Sequence, residues 1–315
     1  MATFYFLGGE DTYWNTLGNW WQDSDCSVPA TSLPTSSDDV FVGGGQLESS
    51  ASPVTIANLT WDSFMPFAMN ITVTGDAIFY QSSNQATLTG NAKFYLGSSN
   101  QGTVTTALFS DYSANSGTVV GNAVFESEAK NYGTVGGDAT FEDSSQNYTI
   151  DPEYLAGTID GDLTYRSLIT LGGVANGDMD VGVANDIASD FVYSGSGNIT
   201  LRDGVYNTAD LSSASSIEFL DSSSNWGVGG PCVVGNAVFR DNSRNHGLVA
   251  GNAVFEGSSR MEFMPLYDPM SNVPPVVTGN VTFKGSAYNK NGSIEGTVTL
   301  AYEKGVNGSS ILGVV

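Results

Sequence analysis

The chain has 315 residues, 33 of them acidic and 10 basic, for a formal net charge of −23. A chain this acidic repels nucleic acid and anionic membrane surfaces, so neither is an expected partner. Only 14% of residues are charged and 38 are glycine; the polarity comes from Ser, Thr, Asn and Gly, which suits an extracellular or virion β protein better than a cytosolic enzyme.

The opening, Met1-Ala-Thr-Phe-Tyr-Phe-Leu, has neither the basic stretch nor the long apolar run of a secretion signal. No apolar stretch reaches the ~18 residues of a membrane span, so no membrane insertion is expected. Residues 1–55 differ in texture from the rest, with Trp14, Trp20, Trp21, the stretch Pro29-Ala-Thr-Ser-Leu-Pro34, and Asp38-Asp39-Val-Phe-Val. They are expected to form a small β cap or attachment segment. The tryptophans then either plug an open sheet edge or serve as an interaction surface for a partner or a glycan.

From residue 56 to about 300 one phrase recurs. It reads G-N-A-V-F at Gly121–Phe125, Gly235–Phe239 and Gly251–Phe255, with variants at Gly75–Phe79, Gly90–Phe94, Gly137–Phe141, Gly161–Tyr165 and Gly279–Phe283. Adjacent copies are 15 to 17 residues apart, as from Gly75 to Gly90 and from Gly279 to Gly296. An aliphatic residue stands two before the glycine (Val73, Leu88, Val119, Val135, Ile159, Val233, Val249, Val277, Ile294), a small residue usually two after, and Phe four after. This period-two alternation is that of a strand with one buried face. About ten residues past the glycine an Asn recurs, at Asn100, Asn131, Asn147, Asn225, Asn245 and Asn289, among Ser, Gly and Asn that favour turns.

A unit this short cannot bury its own apolar face and must stack on copies of itself. The expected fold is all-β: a single-chain parallel β-solenoid whose coils pair ~4.8 Å apart. An antiparallel meander or sandwich is the alternative, disfavoured because its loops would be as long as its strands. In the solenoid Phe79, Phe94, Phe109, Phe125 and Phe141 form one aromatic stack and Phe239, Phe255 and Phe283 another, while Asn100, Asn115, Asn131 and Asn147 form an amide ladder. The glycine marks a bend between sides.

The middle, 166–216, is less regular. Asp178, Asp180, Asp186 and Asp190 invite a calcium reading, but their spacing fits neither an EF-hand nor the nonapeptide repeat, and solvated loop acids are the plainer account. Residues 264–275, with Pro265, Pro269, Pro274 and Pro275, break the period as a surface loop; Met264, Leu266 and Tyr267 make it a candidate contact surface. The tail, 301–315, is read as a C-terminal cap. Seven N-x-S/T sequons are by-products of an Asn- and Thr-rich repeat. Cys26 and Cys232 are expected as free, mostly buried thiols, and with the single His246 they cannot make a zinc site. No catalytic or metal-binding residue and no cofactor is expected. The densest basic group, Arg240, Arg244, His246 and Arg260, is placed by the repeat frame in surface pairs, with Glu256 between Arg240 and Lys284.

The repeat G-[ND]-A-x-F-x-x-S-S-x-N-x-G-x-V resembles repeats in large proteins of tailed phages and bacterial surfaces. The segment Tyr13-Trp-Asn-Thr-Leu-Gly-Asn-Trp-Trp21 with Leu33–Val40 is similar to one that often precedes such repeats. The resemblance covers most of the chain, apart from 166–216 and 260–276, and brings no catalytic residues. It implies a structural or adhesive virion protein, a fibre, spike or decoration subunit on the virion exterior, homo-oligomeric and in fibres of this kind trimeric. Its partners would be further copies of itself, capsid or tail proteins and a cell-surface glycan. A bacterial surface or filament subunit, and a phage glycan depolymerase, are the alternatives.

Overall fold

The computed structural model describes residues 2–7, 11–45, 47–48, 54–69, 71–148, 157–183, 186–226, 232–262 and 274–301. Packing divides the chain into two compact units, Met1–Ala139 with Asp143–Ser145, and Thr140–Glu142 with Gln146–Val315. Each is a parallel β-solenoid, and the antiparallel alternative is set aside by the strand pairing.

In the first unit the phrase strands run in register, each parallel to the next: Thr3–Phe6, Asp39–Val42, Asn58–Asp62, Asp76–Tyr80, Asn91–Tyr95, Thr106–Phe109 and Ala123–Phe125. The same parallel series therefore runs through residues 1–55 as well, on strands whose slots hold Phe4 and Phe6, and Val40 and Val42, rather than Ala and Phe; the next strand holds Leu59 and Trp61. From Asn91–Tyr95 on, each repeat of this unit adds two shorter strands. Ser83–Asn84, Ser99–Asn100, Ala114–Asn115 and Lys130–Asn131 stack on a second side. Thr103–Val104, Thr118–Val119 and Thr134–Val135 stack on a third. Antiparallel pairing enters at the N-terminal side, where Trp20–Trp21 lies against Thr3–Phe6 and covers its outer edge.

The second unit repeats the plan. Its phrase strands, from Leu163–Tyr165 through Met179–Val181, Asn198–Leu201, Ser216–Phe219, Ala237–Phe239, Ala253–Phe255 and Val281–Lys284 to Val298–Ala301, are parallel and in register. The irregularity of 166–216 thus lies in side chains and return lengths, not in pairing. There the small-plus-Phe pair becomes Met179 with Val181 and Ile199 with Leu201, which keeps the buried volume near constant. At one coil the frame slips by a residue: Val234, not Val233, is buried and pairs with Val249.

Two backbone constraints shape the coils. The phrase glycine is set by close approach: a Cβ on Gly90 would lie 2.1 Å from the Gly75 carbonyl oxygen of the preceding coil. The bend after the phrase Phe is left-handed, and Asp recurs there, at Asp203, Asp221 and Asp241 with φ of 57°, 55° and 57°. Asp is among the few residues with a side chain that tolerate that region.

Candidate functional surface

The buried faces are organised as ladders. In the first unit Phe79, Phe94, Phe109 and Phe125 stack with ring centroids 5.0, 4.8 and 4.8 Å apart and planes within 10°. In the second, Phe219, Phe239, Phe255 and Phe283 stack at 4.6, 4.7 and 5.2 Å, with planes within 19°. Phe141 belongs to the second unit, where it meets Tyr165 at 5.4 Å. These spacings are the parallel-strand repeat itself, so the backbone ladder imposes the stacked geometry, and each pair adds ~0.5–1.5 kcal/mol beyond its area.

The amides form a column as well. Asn84 Nδ2 donates to Asn100 Oδ1 at 2.9 Å, Asn100 to Asn115 at 2.9 Å, and Asn115 to Asn131 at 2.8 Å, all fully buried. In the second unit Asn207 donates to Asn225 at 3.1 Å and Asn225 to Asn245 at 2.9 Å, while Asn147 Nδ2 donates to the carbonyls of Gly157 and Gly172 at 3.1 and 2.9 Å. Asn84 and Asn207 escape the sequence reading: the turn before Asn84 is one residue short, and Gly197-Asn-Ile-Thr-Leu is too far from the phrase to announce Asn207. Cys232 inserts its thiol into this column, donating to Asn225 Oδ1 at 2.8 Å, and burial pushes its pKa up to about 12. Cys26, also a free thiol, is half-buried rather than buried.

A second, exposed column went unread. The Asn or Asp just after the phrase glycine, or after Ala57 in the coil before the first phrase, accepts the backbone N–H of the next coil. Asn58 Oδ1 accepts from Asp76 N at 2.8 Å, Asn122 from Asp138 at 2.9 Å, Asp162 from Asp178 at 2.9 Å, Asp178 from Asn198 at 2.7 Å, and Asn252 from Asn280 at 2.9 Å. The letters N and D in the phrase carried that signal.

Of the tryptophans, Trp14 and Trp20 are 3% and 0% exposed and pack edge to face at 4.7 Å, with Trp20 Nε1 donating to the Trp14 carbonyl at 2.8 Å. They fill the cap and turn no ring face outward; Trp21 is half-buried opposite Tyr5. Met264, Leu266 and Tyr267 lie outside the described residues, as do the tail beyond residue 301 and most of the loop expected at 264–275.

On the outer surface of the second unit there is a polar depression of about 280 Å³, lined by Asp162, Thr164, Asp178, Asp180, Asn198 and Arg202 among others. Its acids already have structural partners. Asp180 receives Arg166 at 2.5 Å on one oxygen and Arg202 at 2.9 Å on the other, and Asp162 and Asp178 hold the exposed column just described. Asp186 and Asp190 are exposed, and no cluster of three or more metal-ligating side chains occurs among the described residues.

Within the basic group, Arg240 pairs between coils and Arg260 within its own strand. Arg240 lies 2.8 Å from Glu218 and 3.5 Å from Glu256, which takes Lys284 at 2.6 Å; Arg244 and Arg260 face one another across adjacent strands. Glu262 binds Arg260 at 2.7 Å and Lys290 at 2.8 Å. Burial pushes its carboxyl up, but these two cations overcome that and hold it at about 2. His246 Nδ1 donates to the Glu262 carbonyl at 2.6 Å, its ring is edge-on to Trp226 at 4.8 Å, and burial holds its pKa below the ordinary value.

No protein-family model, curated protein or solved structure matches the chain. No helix among the described residues is long and apolar enough to cross a membrane.

Proposed function

We propose that the chain is a structural and presenting protein of a phage particle: a fibre, spike or decoration subunit on the virion exterior. The observation that carries this reading is where the polar side chains go. The amides of both columns, Asp180 with its two arginines, and the ions from Glu218 to Lys284 are used between successive coils. Side chains spent in this way make a stiff β body; they do not converge on one reacting centre. The acidic surface suits a protein that keeps apart from nucleic acid and stays soluble at high copy number. Its partners in this reading are other copies of the chain, in the manner of trimeric fibres, capsid or tail proteins, and a glycan on a host cell. A surface or filament subunit of a bacterium would use the same architecture.

Cryo-electron microscopy of the native particle is the test. Density for stacked coils of about 16 residues on a particle surface would support the reading. A free, soluble oligomer that releases reducing sugars from a bacterial glycan would overturn it in favour of a depolymerase. The polar depression beside Asp162 and Asp178 is where substitution should then abolish release.

A further inference from the structure

Val298–Ala301 is the last described strand of the second unit and pairs in parallel with Val281–Lys284. Its inward side chains are not covered as their equivalents are. Leu300 occupies the slot of Phe255 and Phe283, yet it is 39% exposed where they are 0% and 4%. Val298 is half-buried where Val281 and Ala253 are buried, and Ile294 is half-buried where Val277 and Val249 are buried. Among the described residues three apolar columns therefore end together, at a strand with one parallel partner there, and a strand left with one partner recruits another.

The sequence beyond Ala301 carries the spacing of the coils. In several described coils a ladder Asn is followed four residues on by an aliphatic residue and two further on by the phrase glycine, while in the last coil Ile294 follows Asn289 by five. Asn115, Val119 and Gly121 are so spaced, as are Asn131, Val135 and Gly137, and Asn245, Val249 and Gly251. Asn307, Ile311 and Gly313 repeat that spacing. A small residue stands two before each of those Asn, at Ser113, Ala129 and Ser243, and Gly305 stands two before Asn307. Val315 falls two past Gly313, the slot of Val281 and Val298.

We propose that residues 305–315 dock on this open edge as the continuation of the coil stack, with Asn307 on Asn289, Ile311 on Ile294 and Val315 on Val298. The occupant is the chain's own C-terminal segment, because it supplies an amide and two aliphatic side chains at the intervals of Asn115, Val119 and Ala123 and of Asn245, Val249 and Ala253. A second copy docking end to end would cover the same edge without any such spacing in this segment. The proposal does not rest on a virion role.

Hydrogen exchange of the full chain at two protein concentrations tests it. The amides of 306–315 and of Val298–Ala301 are expected to exchange about tenfold or more slower than in a free peptide of the same sequence, equally at both concentrations. Ile311→Asp should return both segments to fast exchange while Val281–Lys284 stays protected. Exchange of 306–315 at the free-peptide rate would overturn the proposal. So would protection of Val298–Ala301 that rises with protein concentration, the mark of a second copy on the edge.

Discussion

Replacing Asn115 by Ala tests the buried amide column at its best-formed point. Asn115 accepts from Asn100 Nδ2 at 2.9 Å and donates to Asn131 Oδ1 at 2.8 Å, and all three side chains are fully buried. Removing it leaves Asn100 Nδ2 with the longer contacts to the Gly102 and Thr118 carbonyls at 3.3 and 3.4 Å, and leaves Asn131 Oδ1 with the Gly133 N–H at 3.3 Å. A buried polar group stripped of a partner costs ~1–3 kcal/mol. Two partly compensated groups and a small void bring the total to about 2–4 kcal/mol. Repeat arrays open locally rather than all at once, so the assay is hydrogen exchange at Ser116 and Tyr132, whose amides bond the Asn100 and Asn115 carbonyls. Exchange there should accelerate about 30- to 1,000-fold. Asn115→Leu fills the void but strands the same two amides, so it should lose nearly as much. Wild-type protection in Asn115→Leu would refute the reasoning, because it would mean that the slot asks only for volume.

Three further outcomes are expected. Gly117→Ala places a Cβ 2.2 Å from the Gly102 carbonyl oxygen, backbone that cannot swing away, and should cost ~1–3 kcal/mol or more by denaturant unfolding, whereas Gly44→Ala, with nothing within 4 Å, should be near neutral. Glu262 is depressed from 4.5 to about 2, so its stabilising contribution is complete above 4.5 and drains away as pH falls towards about 2. An acid titration should show this loss in wild type and not in Glu262→Gln. Cys232, 3% exposed with its thiol pushed up to about 12, should resist alkylation in the native protein and react once unfolded, with Cys26 the faster of the two in the native state.

Repetition made part of this fold legible. Where Gly, Ala and Phe recur at fixed offsets, the sequence names the buried face, the ladders and the coil length. It falls silent where packing accepts substitutes. Met179 with Val181 and Ile199 with Leu201 fill the volume of Ala with Phe, so those coils pair normally while looking unlike the phrase. At the amide slot Leu171 and Ile187 bridge each other, apolar against apolar, and no amide is stranded between them. Met261 opposite Asn245 does not enjoy that match, and Asn245 Nδ2 has no hydrogen-bond partner among the described residues. The N-terminal rungs hid for the same reason: Phe4, Val40 and Leu59 are large where the phrase is small. The outer depression could not be read at all, because it depends on Asp180 meeting Arg166 and Arg202 from the coils on either side.

The two amide columns obey different rules, and the sequence records the difference. Just after the phrase glycine Asn and Asp interchange: Asp76, Asn122, Asp138, Asp162, Asp178, Asn252 and Asn280 all stand there, and Asn58 holds the same place after Ala57. That column is exposed and uses only an acceptor oxygen against the next coil's N–H, which a carboxylate supplies as well as an amide. The buried column uses Asn84, Asn100, Asn115, Asn131, Asn207, Asn225 and Asn245, with apolar Leu171, Ile187 and Met261 as its exceptions, and no Asp among these. Each of its links needs a donor and an acceptor from one neutral side chain, and an unpaired charge there has no water to solvate it. Asn252→Asp should therefore shift stability by no more than ~0.5 kcal/mol. Asn115→Asp should be strongly destabilised at neutral pH, where a carboxylate would face the Asn131 oxygen. It should recover as pH falls, because a protonated carboxyl regains the missing donor; burial raises its folded pKa above the unfolded one, so the loss sets in as pH rises through the unfolded value. Equal stability of the two variants across pH 3–8, measured by hydrogen exchange and by denaturant midpoint, would show that the columns are chemically alike and that the division between Asn and Asp has some other cause.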